Sequence, residues 1–349
     1  MTRLASLGAI LDLAVGVDAS FAPRLDDAYE LSLAAIDASW HQQHELAAEH
    51  AAAALGAING DWTGDPVVVV TACAAAGLAA AGIGVDGAWS SQTPTTTPTG
   101  DPILDALPLL SLLPSDVSGA FAVAALAEAA LSCARVGLAA AISVTLVPTA
   151  FVDGNGIEHP YASIVGVLIA RIAVFHGRVT EAGVVLAAIR ATGIPAVDLL
   201  VRATEGLVGG NAADRDAASR LAGQLESGTL ARQPSRLTTG PLLLEAFALV
   251  AVGETRRAAG LALRLIGPDE GPMLIDRVLA IELAIAAAVL DDDLDAAQAW
   301  VALVEPWAAD PIVDSTVARM RSRVALLAGD AAAAIALADW SIARAIDEG

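Results

Sequence analysis

DPIVDSTVARMRSRVALLAGDAAAAIALADWSIARAIDEG, residues 310–349, is the stretch whose reading decides the fold. Pro311 opens a helix, Val317 to Leu327 continue it, Ala328-Gly329-Asp330 turn it, and Ala331 to Ile346 run back. Glycine just past a helix end takes the left-handed backbone conformation that reverses the chain without steric cost. The stretch therefore predicts a helical hairpin, and versions of it recur upstream as far as Tyr161.

Predicted turns fall at Gly177, Gly210, Gly253, Asp292 and Gly329, at intervals of 33, 43, 39 and 37 residues. Small residues follow each turn on the second helix: Ala182; Ala217; Ala258 and Ala259; Ala296 and Ala297; Ala333 and Ala334. Another small residue stands seven positions before four of the turns, at Ala170, Ala203, Ala246 and Ser322, while Asp292 has Ile285 there beside Ala284. Two helices approach closely only where side chains are small, so this pairing is what tight hairpins require.

Further upstream the helical pattern is less regular. Helices are expected over residues 1–17, Leu25–Ser39, Gln43–Ile58, part of Pro66–Ala81 and Pro102–Leu113. Two more run from a Ser115-Asp116 cap past Phe121 and Leu131 to about Ala134, and from Val136 to Leu146. Trp89–Gly100 has no apolar period and reads as a loop. Asp153–Gly156 is a turn, and Pro160 closes the irregular part. The expected organisation is an N-terminal helical region (1–89), a Thr/Pro-rich loop (90–101), a helical connector (102–160) and a repeat array (161–349). The fold class is all-α: a superhelix of stacked helical hairpins behind a less regular helical N-terminal half.

Composition agrees. The 349 residues are 56% apolar, rich in Ala and only 4% aromatic, which favours helix over strand. Net charge is −21, and every cation is an arginine. Without a lysine there is no Schiff base and no phosphate-binding lysine of a Walker loop. Residues 1–160 carry 17 acids against Arg3, Arg24 and Arg135, and residues 161–349 carry 23 acids against 16 arginines. Neither half shows the basic patch a duplex-binding surface needs, so direct nucleic-acid binding is not expected. Cys73 and Cys133 lie in apolar runs and read as buried, reduced thiols of a cytoplasmic protein. Asp12 interrupts the N-terminal apolar run that a secretion signal would need. Pro66–Val85 is twenty residues without a charge, but Ala and Gly dominate it and aspartates flank it; a packed core helix is expected rather than a membrane span.

"VARMRSRVALLAGDAAAAIALADWSIARAIDEG" and "PLLLEAFALVAVGETRRAAGLALRLIGPDEGP" resemble tetratricopeptide (TPR) units. The family's first-helix small residue matches Ser322 and Ala246, its turn glycine Gly329 and Gly253, and its second-helix alanine Ala334 and Ala258. The family's early Trp and first-helix Tyr are missing, and three of the four intervals exceed its period, so these are degenerate TPR-like repeats. Such Ala- and Arg-rich, lysine-free repeats are also similar to the regulatory helical region of LuxR-type bacterial transcription regulators. In that family the repeats precede a C-terminal helix-turn-helix, and nothing after Asp310 resembles one. The resemblance implies a non-catalytic ligand-sensing and protein-interaction region. It also implies that first-helix residues Arg171, Phe247, Arg319 and Arg323 line a concave groove, where guanidiniums would clamp an anionic group of a peptide or small ligand. A standalone scaffold or adaptor is the alternative.

Other constellations read as structure. Gly82-Ile-Gly84-Val-Asp-Gly87 matches GxGxxG but follows a helix instead of a strand, so no nucleotide cofactor is expected. His41, His44, Glu45, Glu49 and His50 are the densest set of potential metal ligands; His41 and Glu45 share a helix face. A closed site would need partners from another helix, and a solvated polar face is the reading, with a metal-dependent helical enzyme as a second alternative. Asp153, Asn155, Glu158 and His159 miss the calcium-loop spacing, and Asp291, Asp292, Asp293 and Asp295 suit a helix start. No Gly-x-Ser-x-Gly elbow is present. On the last helix, Ile335, Ala338, Ile342 and Ile346 form one apolar stripe beside Leu337 and Trp340. One stripe should stay uncovered, and either continuation of the chain or homodimer pairing is expected there.

Overall fold

The computed structural model describes residues 3–17, 20–58, 64–85, 99–146, 148–152, 158–227, 235–266 and 272–347. Among them the chain is all-α, and the isolated bridge Val152–Glu158 is the one β-type pairing. The Ser90–Pro98 part of the expected loop and the Asp153–Gly156 turn lie outside the described residues.

Contacts divide the chain into two compact units. The first holds residues 1–201 and 235–237, the second 202–234 and 238–349. The division thus falls at residue 201, within a helix, and not at Tyr161.

In the first unit the helices are α1 (Arg3–Ala14), α2 (Ala28–Trp40), α3 (His44–Ile58), α4 (Pro66–Ile83), α5 (Pro102–Ala106), α6 (Val117–Ser132), α7 (Val136–Ser143), α8 (Tyr161–Phe175) and α9 (Val179–Ala188). The stretch expected as one helix from Pro102 tightens after Ala106 into a 3₁₀ turn, Leu107–Leu112. Pro108 explains the change, because it has no N–H to continue the α-helical ladder. Asp65, Asp101 and Asp116 cap α4, α5 and α6 through their side-chain oxygens, as the early-helix aspartate pattern requires.

Helix α4 is the core of this unit. Its 18 residues have mean hydropathy 2.1 and are 83% buried, packed by α2, α3, α5 and α6. By length and composition alone it could cross a membrane. Close packing explains its alanines and glycines: a Cβ on Gly77 would come within 3.0 Å of the Ala129 Cβ on α6. Gly84 ends the helix at φ 88°, while Gly87 lies outside the described residues.

Helix α10 (Pro195–Asn211) contributes residues to both units. In the second unit follow α11 (Arg215–Ala218), α12 (Ala222–Ser227), α13 (Arg236–Ala251), α14 (Thr255–Ala262), α15 (Leu274–Leu290), α16 (Leu294–Val304), α17 (Asp314–Leu327) and α18 (Ala331–Asp347). The first residues of α13 belong to the first unit. Helix α17 begins at Asp314, three residues after the expected Pro311.

One turn joins the hairpins. At Gly177, Gly253, Asp292 and Gly329 the backbone takes positive φ, between 58° and 84°. The N–H of each turn residue bonds the carbonyl three back, and the following N–H bonds the carbonyl five back, as at Gly329→Leu326 (3.0 Å) and Asp330→Ala325 (2.9 Å). The fifth expected turn is corrected: Gly210 lies inside α10, and Ala213, at φ 63°, makes the reversal. Gly210 is small for another reason. A Cβ there would meet the Ala248 carbonyl oxygen of α13 at 2.7 Å. The positive-φ residues 177, 213, 253, 292 and 329 then recur every 36 to 40 residues. Gln42 and Ala134 make the same paired bonds in the N-terminal half, so the α2–α3 and α6–α7 connections use the turn as well.

The small residues meet as their spacing requires. Ala170, Ala182, Ala203, Ala246, Ala258 and Ala297 are fully buried, and the Ser322 hydroxyl donates to the Ala334 carbonyl across the last hairpin at 2.7 Å. Arginines then tie neighbouring hairpins of the second unit. Arg215, opening α11, donates to the Val252 carbonyl at 3.1 Å and pairs with Glu254. Arg256, opening α14, donates to the Leu290 carbonyl at 3.3 Å and to Asp291 at 2.6 Å. Each places a cation on the negative end of the next hairpin's first helix.

Candidate functional site: two arginines on one carboxylate

Arg319 and Arg323 are one helical turn apart on α17, and both reach Glu282 on the adjacent α15. Arg319 forms a fork: Nε to Oε1 and Nη2 to Oε2, both at 2.7 Å. Arg323 Nη1 lies 2.9 Å from Oε1. The Glu282 side chain is 8% exposed, whereas those of Arg319 and Arg323 are 43% and 40% exposed. Hydrogen bonding to Glu282 raises the Arg319 pKa further above its ordinary value.

The stoichiometry sets this site apart. Elsewhere among the described ion pairs each arginine has a carboxylate of its own, as in Arg3–Asp65, Arg135–Asp101, Arg257–Glu226 and Arg344–Asp314. Among the described ion pairs, Glu282 is the one carboxylate that two guanidiniums share, which leaves one positive charge in excess there in a chain of net charge −21. Chemically, planar donor forks of this kind suit a carboxylate or phosphate, and here they hold an internal carboxylate.

The other two expected groove residues are placed differently. Phe247 is half-buried on α13 and packs on the cluster containing Leu243, Ala246, Leu283 and Ala280. Arg171 is half-buried on α8, in the first unit. The site thus keeps two of the four residues and gains Glu282, which sequence reasoning missed. A signal existed: Glu282 is the only acid in the interior of the apolar α15, and a charge there needs a partner.

The histidine cluster is dispersed. His41 caps α2, and its Nδ1 lies 3.0 Å from the Asp37 carbonyl oxygen and 3.3 Å from the Asp37 carboxylate, whose hydrogen bond raises the histidine pKa. His44 is buried against Gly82, where a Cβ would lie 2.4 Å from its Nδ1. Glu45 and Glu49 are exposed and His50 is half-buried. Among the described residues no group of three His, Cys, Asp or Glu side chains is arranged to hold a metal ion. His159 is used structurally, accepting the Tyr161 N–H on Nδ1 (3.1 Å) and lying 3.3 Å from Asp12. Both cysteines are buried thiols outside any disulfide, and burial pushes the Cys73 pKa up.

Two further features of the first unit were not read from sequence. Arg236 lies 3.8 Å above the Trp40 ring and donates Nη1 to both Glu128 oxygens at 2.7 and 2.8 Å, while Trp40 Nε1 donates to Glu128 at 3.2 Å. A cleft of about 370 Å³ is lined by Leu110, Leu113, Pro114, Asp116, Val123 and Thr145, among others. Its carboxylate is spent on capping, because Asp116 Oδ1 accepts from the Ser118 and Gly119 N–H groups and the Ser118 hydroxyl.

Comparison with known proteins returns no match: no family model, no curated sequence and no solved structure is significantly similar to this chain.

Proposed function

We propose that this chain is a non-catalytic ligand-sensing and protein-interaction module built of TPR-like helical hairpins. In this reading it serves a LuxR-type bacterial transcription regulator in the cytoplasm and takes an anionic group of a protein or small ligand at Arg319 and Arg323. The observation that carries the reading is the pair of half-exposed guanidiniums sharing Glu282 on the first helices of adjacent hairpins. Glu282 holds the clamp in shape and competes with the incoming anion. The recurring turn supports the repeat character, since hairpins stacked at a regular interval present equivalent positions side by side.

The test is calorimetric titration of the full chain with citrate and with a hexa-aspartate peptide. Replacing both Arg319 and Arg323 with Ala should weaken binding by at least roughly tenfold, as removal of charge-assisted hydrogen bonds does. Glu282→Gln should tighten it several-fold by removing the internal competitor. Affinity unchanged in the double variant discards the clamp. Sequencing the gene beyond codon 349 separates the regulator from a standalone scaffold: an in-frame helix-turn-helix supports the first, a stop codon the second.

A further inference from the structure

Glu245 stands in the middle of α13, and none of its surface reaches solvent. Its Oε1 accepts the N–H of Leu221, just ahead of α12, at 3.2 Å. Among the described residues its Oε2 has no hydrogen-bond partner. That oxygen looks toward α10 at Gly206: the point a Cβ there would occupy is 3.1 Å from Oε2 and 3.4 Å from the Ala217 carbonyl oxygen of α11. Two oxygens with lone pairs thus border one spot that only a glycine leaves open. An unpaired buried carboxylate oxygen destabilises the folded state, and one proton on it removes the charge and turns the lone acceptor into a donor.

Among the described residues no ion pair joins a cation to this carboxylate; Arg257 acts on it only through space, opposed by Glu226. Helix α10 meets the carboxylate with Gly206, which is not ionisable. On α12 the nearby charge is Glu226, and on α14 it is Arg257, with Glu254 next along. Arg257 is spent at the surface, where Nε and Nη2 hold the two Glu226 oxygens at 2.5 and 3.1 Å.

We propose that Glu245 is a proton-operated latch that holds the α11–α12 segment against α13 when neutral and loosens it when ionised. Burial pushes its pKa up from 4.5 to about 7, against the pull of the Leu221 and Ala222 N–H groups. The sign follows from linkage. A carboxyl whose folded pKa is raised adds stability that is complete below its unfolded pKa near 4.5 and is lost as pH rises through about 7. The latch therefore loosens between mildly acidic and neutral pH, and then stays loose. It is independent of the arginine clamp on α17.

Hydrogen exchange of the segment 213–227, followed by mass spectrometry on the full chain and corrected for intrinsic rates, reads the latch. Its opening should increase roughly ten- to thirtyfold from pH 5.5 to 7.5 in the native chain. In Glu245→Gln, which stays neutral and can donate, the segment should be protected and flat over the same range. Equal pH dependence in the two proteins, or a Gln variant that opens freely at every pH, overturns the proposal. The ¹³C shift of the Glu245 carboxyl in the native chain gives a readout that needs no variant. A midpoint near neutrality supports the latch, and a midpoint in the ordinary carboxylate range refutes it.

Discussion

At the residue scale, the hairpin turns show what a side chain costs where the backbone turns left-handed. Gly177, Gly253 and Gly329 meet the requirement freely, whereas Ala213 holds φ 63° with a Cβ against it. Ala213→Gly should stabilise the chain by about 1 kcal/mol, and Gly177→Ala should destabilise it by a similar amount, both read from urea denaturation midpoints. Asp292, at φ 58°, belongs to a residue type that enters the left-handed region more readily than alanine. This is also where the sequence misled. Gly210 looked like the turn glycine because it stands at about the right distance, but its smallness serves contact with Ala248. Glycines used for close approach and for positive φ have the same one-letter appearance, and only the neighbouring helix distinguishes them.

At the element scale, the hairpins from Tyr161 onward were legible because small residues recur at fixed distances either side of each reversal, and helices cannot pair closely without them. The Arg319–Arg323 pair was legible as one face of α17 by its four-residue spacing. Glu282 and Glu245 were not, because each partner lies on another helix and single-sequence periodicity carries no information about cross-helix neighbours. The close packing of α10 on α13 makes a test. Gly210→Ala should cost about 1–3 kcal/mol in thermal or urea unfolding, because the clash is with backbone that cannot rotate away. Gly223→Ala, where nothing lies within 4 Å, should be neutral or slightly stabilising.

At the scale of the whole molecule, the all-α class followed from composition and period, while the partition into units did not. The break inside α10 reflects which residues touch, and a helix pattern continues through it without any mark in the sequence. The uncovered stripe expected on the last helix is present: Ile335, Ile342 and Ile346 are 62%, 59% and 73% exposed, and Trp340 is 48% exposed. Pairing of two chains through this face should appear as concentration-dependent sedimentation, and Ile342→Glu should shift it to monomer. Identical sedimentation of the two proteins across the concentration range would assign the stripe no role in pairing.

The rungs between hairpins are guanidiniums, at Arg215 and Arg256, and lysine is nowhere used in their place. Acetylation, ubiquitin transfer to side chains and aldehyde or succinimide cross-linkers all require a primary amine, and no side chain of this protein offers one. Its helix-to-helix ties are therefore beyond the reach of the commonest charge-erasing modifications. Control of these ties through charge then falls to their carboxylate partners or to what arrives at the arginines, since lysine chemistry has nothing to act on.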